Sequence, residues 1–377
     1  MTIKELIRLD ERPGWAPTWS AFHEAAGAPF FTSLAWIQSW VNMLPIGSPA
    51  WLFECMNADE VLALGLLVRS FDWLGGIVPI RRWWLHATGR SPFDDLTIEF
   101  NGLVSSPAAR GIGERQLLDA LDQNPMAWDQ LMVPHAIDPE RWVDAARSRG
   151  YLVTQSFHPC YFVDFEQLRA ASRQYASVLT KKTRYLIRRA RKEIESEHGP
   201  IGVKVAESGS STEAYFEAML ALHERHWQEK GLRGAFADPA VRAFHLSLQR
   251  NADGTAACRM YRVHAGKVDV GYLYLFVWKG VAYFYQSGFN YDEIGRSRSP
   301  GYVTIAAVLE VLERSDASRF EFLAGENLYK SRLATGSRLL CSLEIQRPTL
   351  RNKVLNFARS IRRRLFATAS EPRTGEC

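Results

Sequence analysis

Phe320-Glu321-Phe322-Leu323-Ala324-Gly325-Glu326-Asn327-Leu328-Tyr329-Lys330 is the stretch on which the reading of this chain turns. A short apolar run over 319–323 stops at Gly325, and Glu326, Tyr329 and Lys330 follow at once. A strand that ends in a carboxylate, a phenol and an amine gathers groups able to take and give protons. Upstream, Arg296-Ser297-Arg298-Ser299-Pro300-Gly301-Tyr302 opens a helix pattern just after two tight hairpins. Cations and a glycine at a helix start suit an anion, because free N–H groups and the helix dipole point the same way. The two segments together suit acyl transfer.

Working outward, the C-terminal half parses cleanly. A strand over 201–206 precedes a helix over 212–230 that carries Tyr215, Phe216, Met219, Leu220 and Trp227 on one side and stops at Gly231. Asp238-Pro239 starts the next helix, Asp as the cap and Pro in the first turn. Strands over 255–264, 268–277 and 281–289 are joined by turns at Ala265-Gly266-Lys267 and Trp278-Lys279-Gly280. A helix to about residue 314, the 319–323 strand, a short helix over 326–335 and a strand over 339–346 follow. The order β-α-α-β-β-β-α-β-α-β makes an α/β protein with a mixed sheet. The N-terminal half repeats that order more weakly, with a helix over 33–43, strands over 50–56, 61–69 and 96–100, a helix over 113–123, a strand over 128–133, a helix over 139–149 and a strand over 151–157. The more explicit cation-and-glycine loop is that of the second half, at Arg296 to Gly301, so the second half is expected to be the catalytic one.

At 377 residues, 47% hydrophobic and 12% aromatic, the chain can bury one large core or two. The longest apolar run, 61–68, is far short of the ~20 residues that span a bilayer. The first ten residues interleave charge with apolar residues and do not read as a secretory leader. Cys55, Cys160, Cys258, Cys341 and Cys377 form no C-x-x-C pair, which argues against a zinc ribbon or disulfide framework and suits a cytoplasmic protein. The net charge of +5 is carried by the tail: residues 351–377 hold seven Lys or Arg against two Glu, and the other 350 residues balance at 39 basic and 39 acidic. The body is therefore no general nucleic-acid binder, and anion affinity must come from local clusters.

The strand and helix order resembles the GNAT acyltransferase fold. The wording resembles its CelD-type branch, named for cellulose biosynthesis and related to the FemAB-like peptidyltransferases. The matching pieces are the basic segment 181–192 (KKTRYLIRRARK), Tyr283 to Phe289 (YFYQSGF), Ser299-Pro300-Gly301, and Phe322 to Glu326 with Tyr329-Lys330, spread over 170–345. FemAB-like proteins carry two GNAT-like domains, which fits the repeat. The resemblance implies tandem GNAT-like domains: a degenerate one over 1–165, a catalytic one over 166–349, then a basic amphipathic helix and disordered tail over 350–377. It implies acetyl-CoA or another acyl-CoA as co-substrate, no metal, and an amine or hydroxyl acceptor from a cell-envelope or polysaccharide precursor. Kinship with FemAB leaves aminoacyl-tRNA as an alternative donor, and a non-catalytic adaptor of a polysaccharide machine as a further alternative. The chain departs from the usual pyrophosphate loop, Gln/Arg-x-x-Gly-x-Gly/Ala, in having Tyr302-Val303 after the single in-register Gly301.

Residue by residue, Arg296, Arg298, Ser299, Gly301 and Tyr302 are the candidate diphosphate site, with the N–H groups of Gly301, Tyr302 and Val303 expected to be free. Glu326 is the candidate base, Tyr329 the acid and Lys330 the oxyanion or phosphate contact. The same three also fit a helix cap, with Glu326 near the N-terminus and Lys330 pairing with it at i+4. On the 181–192 helix Tyr185, Leu186, Ala190 and Ile194 are expected to face the body, leaving Arg184, Arg188, Arg191 and Lys192 outward to meet tRNA, coenzyme A phosphates, an anionic glycan or solvent. Tyr283 and Tyr285 share a strand face, and either line an acceptor cleft or fill the core. His223 and His226 lack the spacing of a zinc helix and read as packing or surface residues. Leu350, Val354, Phe357, Ala358, Ile361 and Leu365 make an apolar stripe flanked by Arg and Lys, which packs on the body or rests peripherally on an anionic membrane face.

Overall fold

The computed structural model of the chain describes residues 2–369 apart from 46–47, 59, 75–77, 97, 207–208 and 251–256. Two copies of one topology share a single mixed sheet. In the first half, β1 (Thr2–Arg8) leads to helices Trp15–Ala26 and Leu34–Met43, then β2 (Ala50–Asn57), β3 (Glu60–Leu74) and β4 (Val78–Leu85). The two-residue β5 (Val104–Ser105) pairs with β3 alone, and helix Ile112–Gln123, β6 (Gln130–Ala136), helix Pro139–Arg147 and β7 (Leu152–Asp164) follow. The second half repeats the series as β8 (Ile201–Ala206), helices Gly209–Glu229 and Pro239–Arg250, β9 (Cys258–Ala265), β10 (Val268–Trp278), β11 (Val281–Phe289), helix Pro300–Glu313, β12 (Arg319–Ala324), helix Leu328–Leu333 and β13 (Gly336–Gln346). Three linking helices, the last Lys181–His198, separate the halves, and Leu350–Ala369 ends the described chain.

The halves exchange their last strands. β13 pairs antiparallel with β6 of the first half, β7 pairs antiparallel with β12 of the second, and β7 and β13 pair with each other from Leu152↔Gln346 to Gly336↔Phe162. A hydrophobic core also crosses the junction, where Phe30 stacks on Phe276 with centroids 4.5 Å apart and Trp36 packs edge-on against Phe244 and Phe276.

The local structure differs from the expectations in several places. β1 and helix Trp15–Ala26 were not read from the sequence, nor was β4, whose Pro79, Arg81 and Arg82 break an apolar alternation. Those charges are matched in place: Asp129 takes the Arg81 guanidinium at 2.9 and 3.0 Å, and Arg82 bonds Gln130 at 2.6 Å and pairs with Asp72. Of the segment 96–100, the described residues Leu96, Ile98, Glu99 and Phe100 are not in a strand; the next residue, Asn101, forms the isolated parallel bridge Asn101↔Ala136. On Lys181–His198 the buried stripe is Thr183, Ile187, Ala190 and Ile194, so Tyr185 points to solvent and is 61% exposed.

Each half contains one parallel strand pair, and each pair parts company after three residues: Arg82–Trp84 with Gln130–Met132, and Val281–Tyr283 with Arg319–Glu321. In the first half the chain itself bridges the wedge and leaves a smaller cavity of about 170 Å³ beside it. Asn101 N–H donates to His135 O at 3.0 Å, Ile137 N–H to Asn101 O at 3.0 Å, and the Asn101 amide to Leu85 O at 3.0 Å. In the second half the wedge is open.

Candidate active site

Beyond Tyr283 and Glu321 the wedge between β11 and β12 holds a cavity of about 290 Å³. Its walls include Phe284 to Ser287 of β11, Phe322 to Ala324 of β12, Tyr329 and Lys330 from the next helix, and Asp95 and Glu99 from the first half. The pairing of β12 with β7 slips between Glu321 and Ala324, and Leu323 there has a left-handed φ of 63°. A non-glycine residue in that region stores on the order of 1 kcal/mol of strain, which the surrounding contacts must hold. The distortion has a use. It presents the Leu323 and Ala324 carbonyls to Lys330 Nζ at 3.2 and 2.7 Å, and the Ala324 N–H to Glu99 Oε2 at 2.7 Å.

Glu99 is 3% exposed. Burial raises its carboxyl to about 7, against the pull of the Ala324 N–H and of Lys330, and with a further push from Glu321. Burial lowers the pKa of the Lys330 ammonium, while Glu99 and Cys160 work to keep it charged. A carboxyl and an amine whose environments draw their pKa values toward neutrality are the kind of pair that moves protons at physiological pH. Burial, with Tyr291 adding to it, pushes the Tyr329 phenol up, so it holds its proton and can donate. Beneath the cavity, Glu321 accepts from Arg338 at 2.6 Å, and Arg338 lies 4.7 Å over the Phe100 ring.

The cap reading of 326–330 falls elsewhere. Asn327 is the N-cap, its side chain accepting from Tyr329 N–H at 3.2 Å, and Lys330 reaches back to β12 rather than to Glu326. Glu326 is exposed on the turn and is not among the cavity walls.

At the other candidate segment, Ser299 is left-handed (φ 49°, ψ 55°) and Pro300 occupies the first helical turn. The Ser299 carbonyl accepts from Tyr302 N–H at 3.0 Å and Val303 N–H at 3.4 Å, so of the three N–H groups expected to be free only that of Gly301 lacks a backbone partner among the described residues. The tight turn at Ser299 aims that carbonyl into the helix, which accounts for the difference. Phe289 packs against Gly301, where an added Cβ would come within 3.1 Å of the ring. Arg296 pairs with Glu229 and lies 4.5 Å over Tyr291, while Arg298 pairs with Glu197 at 2.5 Å. Such half-exposed pairs are worth about 0–1 kcal/mol, so a diphosphate can displace the carboxylates.

Tyr285 lines the cavity and donates to Leu96 O at 2.8 Å, whereas Tyr283 is buried against Phe31 and Phe100. The Arg184 guanidinium donates to the Ser177 and Leu179 carbonyls, and Arg188 is exposed. His223 Nδ1 lies 3.1 Å from Ser287 O and its Nε2 accepts from Ala235 N–H at 3.2 Å, which commits the ring to packing. The terminal helix docks by its polar side: Asn352 is buried on the Asp129 and Arg347 carbonyls, and Arg359 pairs with Glu344. Leu350, Val354 and Phe357 of the apolar stripe are exposed, and the side chains of Ile361 and Leu365 lie outside the described residues, as does 370–377 of the tail. No helix among the described residues is long and apolar enough to cross a membrane.

Glu99 was missed in the sequence because it lies 231 positions from Lys330. The available signal was a lone carboxylate in the apolar run Leu96 to Phe100.

No curated protein matches the chain. Among solved structures it is similar to FemX at 10% identity and a TM-score of 0.55, over 87% of this chain and 95% of that one. It is also similar to a conserved protein of unknown function from Bacteroides thetaiotaomicron, at 10% identity and a TM-score of 0.50, over 92% of this chain and 100% of that one. At such identities the likeness is one of fold. Residues 181–331 match the acetyltransferase (GNAT) domain family, a span that runs from the basic helix to the residue after Lys330. The open wedge thereby falls within a segment of known kind: residues 181–331 form a domain of the acetyltransferase (GNAT) type, the domain of an acyltransferase.

Proposed function

We propose that the second half transfers an acyl group from a coenzyme A thioester to an amine or hydroxyl, by direct attack, and that the first half is not itself catalytic. The contrast between the two wedges supports this reading: Asn101 bridges one and leaves about 170 Å³, whereas the other holds about 290 Å³ beside Lys330 and Tyr329. Acyl-CoA supplies an activated thioester carbonyl. Gly301 N–H, Ser299 and Tyr302 at the helix start, with Arg296 and Arg298, would hold its diphosphate. Lys330 spends two of its N–H groups on carbonyls and has a third for the developing oxyanion, and Tyr329 can return a proton to the leaving thiolate. Tyr285 lines the side where the acceptor enters, and its neighbour Tyr283 supports it from the core. The acceptor class follows the CelD-type resemblance: a cell-envelope or polysaccharide precursor bearing an amine or hydroxyl.

A tRNA-borne aminoacyl ester is the second reading. It is favoured by the exposed cations Lys181, Lys182, Arg188, Arg189 and Lys192, on a helix tied to the Arg298 turn through Glu197. Calorimetry separates the two. Acetyl-CoA or a longer acyl-CoA should bind saturably, and Arg298→Glu should weaken it about tenfold, the scale of one charge-assisted contact to phosphate. No heat with any acyl-CoA, together with tRNA binding that falls steeply with salt, would favour the second donor.

A further inference from the structure

Glu99 reaches the second half's wedge from the first half. Glu99 and Asp95 line the open wedge of the second half, while Leu96 and Ile98 line a cavity of about 170 Å³ in the first. The segment that carries them is fixed on both sides, by the Tyr285 hydroxyl on Leu96 O and by Asn101 on β4 and His135. Glu99 Oε2 is held by the Ala324 N–H, and Oε1 has no partner among the described residues.

We propose that Glu99 is the proton acceptor of the transfer, so that the catalytic site is completed by a residue of the first half. The inference rests on acyl transfer taking place in the β11–β12 wedge. The acceptor nitrogen or oxygen attacks the acyl carbon and the new C–N or C–O bond forms. Its proton passes to the Glu99 carboxylate, the C–S bond breaks with its electron pair on sulfur, and the thiolate is protonated by Tyr329 or solvent. The products are the acylated acceptor and a free thiol; Glu99 releases its proton to water, and a Tyr329 that has protonated the thiolate regains its proton from water. Glu99 lines the cavity, as Glu326 does not, and a carboxyl raised by burial to about 7 is matched to proton removal at neutral pH. The groups that face Glu99 are Lys330 on the following helix, Glu321 on β12, Arg338 on β13, Cys160 on β7, Tyr285 on β11 and Asp95 on its own segment.

Glu99→Gln keeps an oxygen for the Ala324 N–H and removes only the base. Carbon-13 NMR of labelled glutamate should show one carboxyl titrating near neutrality in the wild type and absent from Glu99→Gln. Calorimetry should find acetyl-CoA bound equally by both. Thiol release from acetyl-CoA with ethanolamine as probe amine should fall about a hundredfold, the lower range for loss of a general base. The rise of that rate with pH through neutrality should vanish, and Glu99→Asp should restore part of both. Wild-type turnover and an unchanged pH profile in Glu99→Gln would overturn the inference, as would a Glu99 carboxyl that titrates in the ordinary acidic range. Failure of the wild type to bind acetyl-CoA would contradict the donor assignment instead, and Glu99 is then judged by its titration alone.

Discussion

Lys330→Ala lowers the single-turnover rate of acyl transfer by about a hundredfold, the scale for removing one preorganised electrostatic contact, with little change in melting temperature. The side chain contributes little packing: its ammonium is bonded to the Leu323 and Ala324 carbonyls at the edge of a cavity that water can enter. Once Lys330 is gone those carbonyls can turn to solvent, so the folded state loses about 1 kcal/mol, one ordinary hydrogen bond's worth. A developing oxyanion in the same wedge has no such substitute. The variant should also shift the pH profile. Lys330 holds the Glu99 carboxyl down, so its removal lets Glu99 rise further and moves the ascending limb of rate against pH to higher pH. A helix-capping role predicts the reverse: a destabilised protein that turns over at full rate once folded. Melting temperature and single-turnover rate measured on the same samples decide between them.

Arg338→Ala should cost about 3–5 kcal/mol of folding stability at neutral pH, the range for leaving a buried carboxylate without its partner. Glu321 is 1% exposed and accepts from Arg338 at 2.6 Å; its other cation, Arg319, stands at 3.9 Å. The Arg338 side chain spans three elements, since it leaves β13, bonds β12 and covers Phe100 of the first half at 4.7 Å. Burial already raises the Glu321 carboxyl above its usual range despite Arg338 and Arg319. Without Arg338 it rises further. A folded-state pKa above the unfolded one means the folded protein holds the proton more tightly. Stability is then greatest below the unfolded carboxyl's pKa and falls as pH climbs toward the folded value. The deficit of Arg338→Ala should therefore be small near pH 4 and largest at pH 7–8. Urea unfolding at both ends of that range measures it. Adding Glu321→Leu should recover most of the loss at neutral pH, and a deficit indifferent to pH would contradict the account.

The second half was legible because its turns are chemically explicit. β11 runs from Val281 to Phe289 as the alternation indicated, since Lys279 (φ 47°) and Gly280 (φ 78°) supply the two left-handed residues of a tight hairpin before it. Asp238 accepting from Ala240 N–H was equally visible as local chemistry. What escaped reading depends on partners far along the chain. Arg81 and Arg82 look wrong for a strand until Asp129 and Gln130, 48 positions on, are seen to receive them. The strand exchange has no local trace either, because β13 would read the same whether it paired with its own half or, as it does, with β6 and β7. At the site, Tyr329 and Lys330 were found from the strand-end pattern and do line the cavity, while Glu326, chosen from the same pattern, sits outside it. A turn places neighbours in sequence on opposite sides of a surface, and sequence order alone does not tell which side faces the ligand.

A crystal structure with a non-transferable thioether analogue of acyl-CoA tests the central claim most directly. The account predicts the diphosphate at the Gly301 helix start and the acyl carbon in the β11–β12 wedge, within reach of Lys330 and Glu99. An analogue bound in the first half's wedge, elsewhere on the chain, or not at all at saturating concentration would contradict it.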